Sequence, residues 1–418
     1  MDSYLINGGN PLHGTVTISG SKNAALPIIT ATIIEPGRYT LTNIPRLRDT
    51  MTMIKLIKII GGEADINGNT MTIDTRCCDK PIAPYDLVKT MRASFYVLGP
   101  FMSRFNQATV SLPGGCAWGP RPVDYHLTAL EKMGATVNLD TGNIVVRGAL
   151  KGTEIEFEQS SVGATGNILM AATKASGTTR IKNYAKEPEI EDLIHFLQCL
   201  GSNISLVDND VLVMGKDNLN AKGGISYEII PDRIEAATFM IATCICGGEI
   251  LLKNVNPLHL KILIDKLKLV GAIINVSENS IALKCDGNIK PTDIITEPYP
   301  GFPTDIQAQW MSLMTFSNGL SKITENVYKD RFSHISELNR FGSKISLSKN
   351  VATIIGSEKL KPAPVMSPDI RASAALIIAA LGINGASRVS RIYHLDRGYE
   401  NFEQKMISLG AQIKRENN

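Results

Sequence analysis

Six glycines frame this chain. Gly61, Gly134, Gly201, Gly271, Gly342 and Gly410 recur at separations of 73, 67, 70, 71 and 68 residues. Each ends an amphipathic stretch of helical period, a place where glycine enters the left-handed region without steric penalty. An alternating strand pattern follows each one. Ahead of each lies a second recurring block: a polar cap, an apolar helix of small residues, a turn and a short strand. These blocks read SKNAALPIITATIIEPGRYTLTNI from Ser21, TMRASFYVLGPFMSRFNQATVSL from Thr90 and SVGATGNILMAATKASGTTRIKN from Ser161. They continue as DRIEAATFMIATCICGGEILLKNV from Asp232, TDIQAQWMSLMTFSNGLSKITENV from Thr304 and DIRASAALIIAALGINGASRVSRI from Asp369. Six units of roughly 70 residues, each helix–strand–helix–strand–strand, account for all 418 residues.

One such unit cannot bury both faces of its helices, whereas three packed together make a domain of ordinary size. The repeat therefore predicts two domains of three units each. Turn pairs such as Asn67-Gly68 and Thr141-Gly142 divide the last two strands of a unit. The strand pattern at residues 3–7 has no local partner, and pairing it with the last unit makes the chain cross between domains twice. The expected domains are residues 1–20 with 230–418, and residues 21–229, with Ser226–Pro231 as the second crossing. The caps Ser21, Thr90, Ser161, Asp232, Thr304 and Asp369 satisfy free backbone N–H groups. Lys22, Arg92, Arg233, Asp305 and Arg371 fall in the first turns, where helix termini favour anions.

One unit departs from the rest. From the first block's strand end to the glycine the count is 18 for Asn43 to Gly61, 18 for Asn183 to Gly201, 17 for Asn254 to Gly271 and 16 for Asn326 to Gly342. For Ser111 to Gly134 it is 23. The added residues are Pro113–Pro120, and an insertion in one copy of a repeat marks a binding face. Cys116 stands in this loop among Gly114, Gly115 and Gly119, with Arg121, Asp124 and His126 close behind. A lone exposed thiol is usually incidental. The insertion and the nearby arginine, which lowers a thiol pKa, make this one a candidate for chemistry.

Composition narrows the class. The formal net charge is +3, with 20% charged residues and no long basic run, so a nucleic-acid footprint is not expected. No apolar run reaches the ~18 residues of a membrane helix, and the first residues lack the basic and apolar regions of an export signal. Seven cysteines without zinc spacing fit a reducing cytoplasm, with Cys199, Cys244 and Cys246 expected as core thiols.

Several motifs carry a resemblance that runs end to end. They are SGSKNAALP at Ser19–Pro27, MRAS at Met91–Ser94, PGGCAWGPRPVDYH at Pro113–His126, SVGAT at Ser161–Thr165 and EPEI at Glu187–Ile190. PDRIE at Pro231–Glu235, PTDIQAQ at Pro303–Gln309, DIRAS at Asp369–Ser373 and IYHLDRGYE at Ile392–Glu400 complete the set. In these motifs the chain resembles the UDP-N-acetylglucosamine enolpyruvyl transferases. The cysteine loop with its RPVD tail separates that group from the sister 5-enolpyruvylshikimate-3-phosphate synthases, which share the fold.

The resemblance implies a two-domain inverted (inside-out) α/β barrel, three pseudo-symmetric βαβαββ-type units per domain, with the active site in the cleft between them. It implies transfer of the enolpyruvyl group from phosphoenolpyruvate to the 3′-hydroxyl of UDP-N-acetylglucosamine with loss of phosphate, the first committed step of peptidoglycan precursor synthesis. The route is addition through a tetrahedral intermediate, then elimination. By the same resemblance Cys116 is the general acid and the fosfomycin target, and Asp305 the base, its pKa expected to be raised by burial. Lys22, Arg121 and Arg397 clamp phosphoenolpyruvate, with Arg92 and Arg371 close by. Asn23, Arg121, Pro122, Val123, Asp124, Tyr125, Ser160, Ser161, Val162 and Val327 are the expected sugar-nucleotide contacts, and Arg331 and Asp369 lie behind them. No cofactor or metal is expected, because side chains supply the cations, and the partners expected are the two small substrates acting on a monomer.

Trp118, Pro120, Gln159 and Lys329 depart from the group's usual residues, which bears on loop closure and nucleotide affinity. Two alternatives stand beside this reading. One is an enolpyruvyl transferase with a different acceptor, such as shikimate 3-phosphate. The other is a catalytically silent sugar-nucleotide-binding regulator.

Overall fold

The computed structural model describes residues 2–88, 91–111, 123–220, 224–357 and 359–416, and the backbone but not the side chains of residues 92–94. The chain divides into two compact units. A continuous unit spans Gly20–Ile230, and a discontinuous one joins Met1–Ser19 to Pro231–Asn418.

Each unit is built the same way. Three central helices lie inside and three four-stranded sheets lie around them. In the discontinuous unit the helices are Arg233–Cys246, Gln307–Thr315 and Ile370–Gly382, and all three pack on one another. Their side chains are buried almost all round, as Ala236, Phe239, Met311, Trp310, Leu376 and Ile378 illustrate. A helix apolar on every face has no solvent side, so it can only be surrounded. In the continuous unit the counterparts are Lys22–Ala31, Leu98–Phe105 and Val162–Ala172, with Arg92–Val97 as a 3-10 turn ahead of the second.

The sheets carry the complementary pattern. Strands such as Thr70–Asp74, Ser280–Cys285 and Leu320–Glu325 alternate so that one face meets the core and the other turns outward. The last two strands of a repeat form an antiparallel hairpin, as Thr136–Asp140 does with Asn143–Arg147. In the first repeat the hairpin turn is Gly68-Asn69, one residue beyond the expected pair, because Asn67 still pairs with Thr70. All six repeat glycines adopt positive φ, from 89° at Gly342 to 120° at Gly271, so the helix-ending role anticipated for them is a backbone requirement.

Each sheet is completed by a parallel edge strand that runs ahead of its central helix, with two exceptions. Leu12–Thr17 precedes the first central helix but pairs with Gly248–Lys253 of the fourth repeat. Ile225–Glu228 precedes the fourth but pairs with Arg38–Thr42 of the first. These two strands have exchanged sheets. Ser226 is thus part of a strand, and the change of unit falls between Ile230 and Pro231. Ser3–Gly8 pairs antiparallel with both Gly385–Ser390 and Gln412–Glu416, joining the two ends of the chain in the sixth repeat.

Two further expectations are corrected. Cys199 ends the Pro188–Cys199 helix on its solvent side and is exposed, since the apolar stripe of that helix runs through Leu193, Phe196 and Leu197. Cys244 is buried and Cys246 partly so. Thr304 does not cap its helix: the turn begins at Thr304 itself, and its hydroxyl donates to Glu325 instead. Ser21, Ser161, Asp232 and Asp369 do cap, each accepting from backbone N–H groups of the first turn, while Thr90 lies outside the described residues. Among the described residues no helix is long and apolar enough to cross a membrane.

Candidate functional site

A buried charge cluster of the discontinuous unit gathers around Asp305. A short 3-10 turn, Thr304–Ile306, leads into the Gln307–Thr315 helix and presents this carboxylate. Arg371 Nη2 lies 2.7 Å from Oδ2, and Arg331 Nη1 lies 2.8 Å from Oδ1. The arginine side chains are 6% and 9% exposed, that of Asp305 27%. Burial alone would raise the Asp305 pKa, but the two guanidiniums outweigh it and hold the carboxyl well below the usual carboxylate range. This corrects the expectation of a raised value. Asp305 is held ionised, and its partner Arg371 is held more firmly cationic by the same pairing, against the burial that opposes it.

Both arginines are fixed from behind. Asp369 caps the Ile370–Gly382 helix through the backbone N–H groups of Arg371 and Ala372, at 2.8 and 3.1 Å, which sets where Arg371 starts. The Arg371 guanidinium rests 5.9 Å from the Tyr399 ring centroid. The Tyr399 hydroxyl lies 2.9 Å from Thr238 Oγ1 and accepts from Gln309 Nε2 at 3.1 Å, tying it to the other two central helices. Arg331 Nη1 also donates to Thr304 Oγ1 at 3.1 Å, and its guanidinium lies 5.8 Å from the Tyr328 ring centroid. His334 behind it is fully buried, and burial together with Arg331 lowers its pKa to about 3, so it stays neutral.

Val327 sits just past the Leu320–Glu325 strand, its backbone N–H donating to Glu325 Oε1 at 2.9 Å. Arg397 ends the Ile392–Arg397 3-10 turn and is partly exposed.

The continuous unit offers a second set. Lys22 opens the Lys22–Ala31 helix behind its Ser21 cap, nearly buried, with Nζ 3.5 Å from Asp49 Oδ2. Asn23 follows, partly exposed. Ser161 caps the Val162–Ala172 helix by accepting from Ala164 N at 3.3 Å, and Ser160, Ser161 and Val162 are all partly exposed. Asp124 begins the Asp124–Lys132 helix and is exposed, Val123 is half-buried, and the Tyr125 ring lies 6.2 Å from that of Phe157. His126 is buried against Phe95, ring centroids 5.0 Å apart, with Nδ1 2.9 Å from Asn167 Nδ2. The amide donates there, which leaves the imidazole proton on Nε2. Cys116, Arg121, Pro122, Trp118 and Pro120 lie outside the described residues, as does the side chain of Arg92.

The structure thus brings Asp305, Arg331 and Arg371 together and sets Asp369 as the cap beneath Arg371. Sequence reasoning missed Asp49, Tyr399 and Glu325. The first two carried no distinguishing signal. Glu325 did: the strand alternates buried and exposed, and its last inward position is an acid.

Comparison with known proteins now bears on the chemistry. Residues 6–406 match the family described as EPSP synthase (3-phosphoshikimate 1-carboxyvinyltransferase). The chain belongs to the EPSP synthase family. Family members similar to it over their whole length include the UDP-N-acetylglucosamine 1-carboxyvinyltransferase of Chlorobium chlorochromatii, 49% identical with 100% of this chain and 99% of that one covered. The protein of the same name from Nitratidesulfovibrio vulgaris strain Hildenborough is 50% identical with both chains covered completely. Among solved structures of the family, the enolpyruvyl transferase NikO from Streptomyces tendae superposes with a TM-score of 0.90 at 23% identity, covering 99% of this chain and 98% of that one. An EPSP synthase from Acinetobacter baumannii gives 0.78 at 18%, covering all of both. At such identities the two structures establish the α/β two-domain fold, while the closer relatives mark this family member as a carboxyvinyltransferase.

Proposed function

We propose that this chain transfers the enolpyruvyl group of phosphoenolpyruvate to the 3′-hydroxyl of UDP-N-acetylglucosamine and releases phosphate, supplying a peptidoglycan precursor. The observation that carries this reading is identity of about half over complete length with two relatives of that name. The cysteine loop with its RPVD tail, present here and expected only in that group, favours the sugar nucleotide over shikimate 3-phosphate as acceptor.

In this reading Asp305 accepts the proton of the 3′-hydroxyl as its oxygen bonds to C2 of phosphoenolpyruvate, while Cys116 delivers a proton to C3 and turns the methylene into a methyl. Elimination then removes a methyl proton, re-forms the double bond and expels phosphate with the C2–O electron pair. Asp305 is a weak base while two guanidiniums hold it, so the sugar hydroxyl must draw off part of that pairing for the proton to move. Lys22, Arg121 and Arg397 hold the phosphate and carboxylate, with Arg92 and Arg371 beside them, and their charges favour the anionic intermediate. Asn23, Pro122, Val123, Asp124, Tyr125, Ser160, Ser161, Val162 and Val327 bind the sugar nucleotide. The enzyme works in the cytoplasm as a monomer in this reading, where both substrates are made.

The test is phosphate release from phosphoenolpyruvate with each acceptor, with and without fosfomycin. Release with UDP-N-acetylglucosamine that fosfomycin abolishes is expected. Release with shikimate 3-phosphate alone would overturn the proposal.

A further inference from the structure

Glu325 is a fully buried carboxylate that the chemistry above does not use. Its Oε1 accepts from Thr296 Oγ1 at 2.7 Å and from the backbone N–H groups of Val327 and Tyr328 at 2.9 and 2.8 Å. Its Oε2 accepts from Thr304 Oγ1 at 2.9 Å. These four donors are neutral. A carboxylate taken out of water among neutral donors is expensive to maintain, so a structural explanation alone would favour an apolar or hydroxyl side chain here.

The repeat supplies the control. The last residue of the corresponding strand is Thr42, Ser111, Lys182, Lys253 and Ser390 in the other five units. The fold therefore closes five times without an acid at this position, and the acid appears in the repeat that carries Asp305. The backbone responds as well. The residue after the strand takes positive φ at Asn43, Asn183, Asn254 and Arg391, whereas Asn326 does not. Here the Asn326 N–H donates to Thr296 Oγ1 at 3.0 Å, and Glu325 accepts from the N–H groups of Val327 and Tyr328 that follow.

We propose that Glu325 is a positioning residue for the transfer reaction, holding the Asp305 turn and Arg331 through Thr304 and presenting the Val327 segment through two backbone N–H groups. The path is continuous: Glu325 Oε2 accepts from Thr304 Oγ1, which accepts from Arg331 Nη1, which lies 2.8 Å from Asp305 Oδ1. This role rests on the functional reading given above, in which Asp305 takes the hydroxyl proton and Val327 touches the sugar nucleotide.

Two substitutions separate the arms. Glu325→Gln weakens both, because the amide oxygen accepts on one side only and, without the charge, accepts more weakly there. Thr304→Val cuts only the arm to Asp305 and Arg331. Steady-state phosphate release is measured with UDP-N-acetylglucosamine varied at saturating phosphoenolpyruvate, beside thermal unfolding. Glu325→Gln is expected to lower kcat and raise KM for the sugar nucleotide, each by about tenfold, and Thr304→Val to lower kcat by about tenfold with KM within about twofold. A purely structural role would lower the melting temperature and leave both constants of the folded variants unchanged, and that result overturns the proposal. If Glu325→Gln does not fold, an unchanged kcat in Thr304→Val overturns it alone. Wild-type protein that releases no phosphate with the sugar nucleotide refutes the functional reading itself, and this role with it.

Discussion

Replacing Asp305 by Asn tests the site through stability and activity together. The change keeps the shape of the side chain but removes the charge between Arg331 and Arg371. Two guanidiniums only 9% and 6% exposed then lose their counter-ion. Breaking a buried pair from one side costs about 3–5 kcal/mol, and the 27% exposure of the Asp305 side chain scales that to roughly 2–4 kcal/mol. For a unit of this size the loss lowers the melting temperature by roughly 5–15 °C. The pH dependence has a definite sign. Asp305 has a folded pKa far below its unfolded one, so its contribution is complete above about pH 4 and is lost as pH falls further. The gap between wild type and Asp305→Asn is therefore flat from pH 5 to 8 in urea unfolding and narrows below about pH 4. Phosphate release falls by about 10²-fold or more, because the amide accepts no proton. A variant as stable as wild type at pH 7, or a gap that widens below pH 4, would refute the electrostatic account.

Other outcomes follow from the same structure. Cys116→Ser should lower turnover at pH 7 by about 10²-fold or more, since a hydroxyl is a far weaker acid than a thiol, and wild-type turnover in that variant would contradict the role. Cys116→Asp should keep phosphate release and resist fosfomycin, with intact-mass measurement showing no adduct. Asp192 is buried, with a pKa raised by burial to about 6, so its protonated form favours the fold below about pH 4 and the benefit disappears as pH rises through 6. Asp192→Asn should remove up to about 3 kcal/mol of that decline in urea unfolding between pH 4 and 7, and an unchanged slope would rule it out. Gly342→Ala meets only the Lys359 carbonyl oxygen, at an uncrowded 4.0 Å, but must hold φ at 89°, so it should cost about 1–2 kcal/mol, and a neutral result would show that the backbone relaxes.

Much of the fold was legible because it repeats. The glycine spacing, the small-residue helices and the alternating strands each reflect a local demand: a left-handed cap, burial on every side, or one wet face. The same demands recur six times, and their agreement is what made the architecture readable. The lone strand Ser3–Gly8 was legible through its missing partner. The caps at Ser21, Ser161, Asp232 and Asp369 were legible because they act within one turn, whereas Thr304 was misjudged because its hydroxyl bonds to Glu325 on another strand.

The amino-acid sequence by itself determined the number of units, where their helices end, which helices are buried, and the cysteine loop that sets one unit apart. Those features depend on side chains within a few residues of each other. Only the tertiary structure decided that Leu12–Thr17 and Ile225–Glu228 exchange sheets, and that Asp305 is depressed rather than raised. Strand exchange pairs Leu12 with Gly248 and Ile225 with Tyr39, partners far apart in the chain, which no local pattern encodes. The Asp305 pKa depends on two arginines 26 and 66 residues away, whose charges outweigh a burial the sequence could anticipate. Glu325 shows both limits: its inward register was readable, but what its carboxylate holds was visible only once Thr304 and Val327 had folded around it.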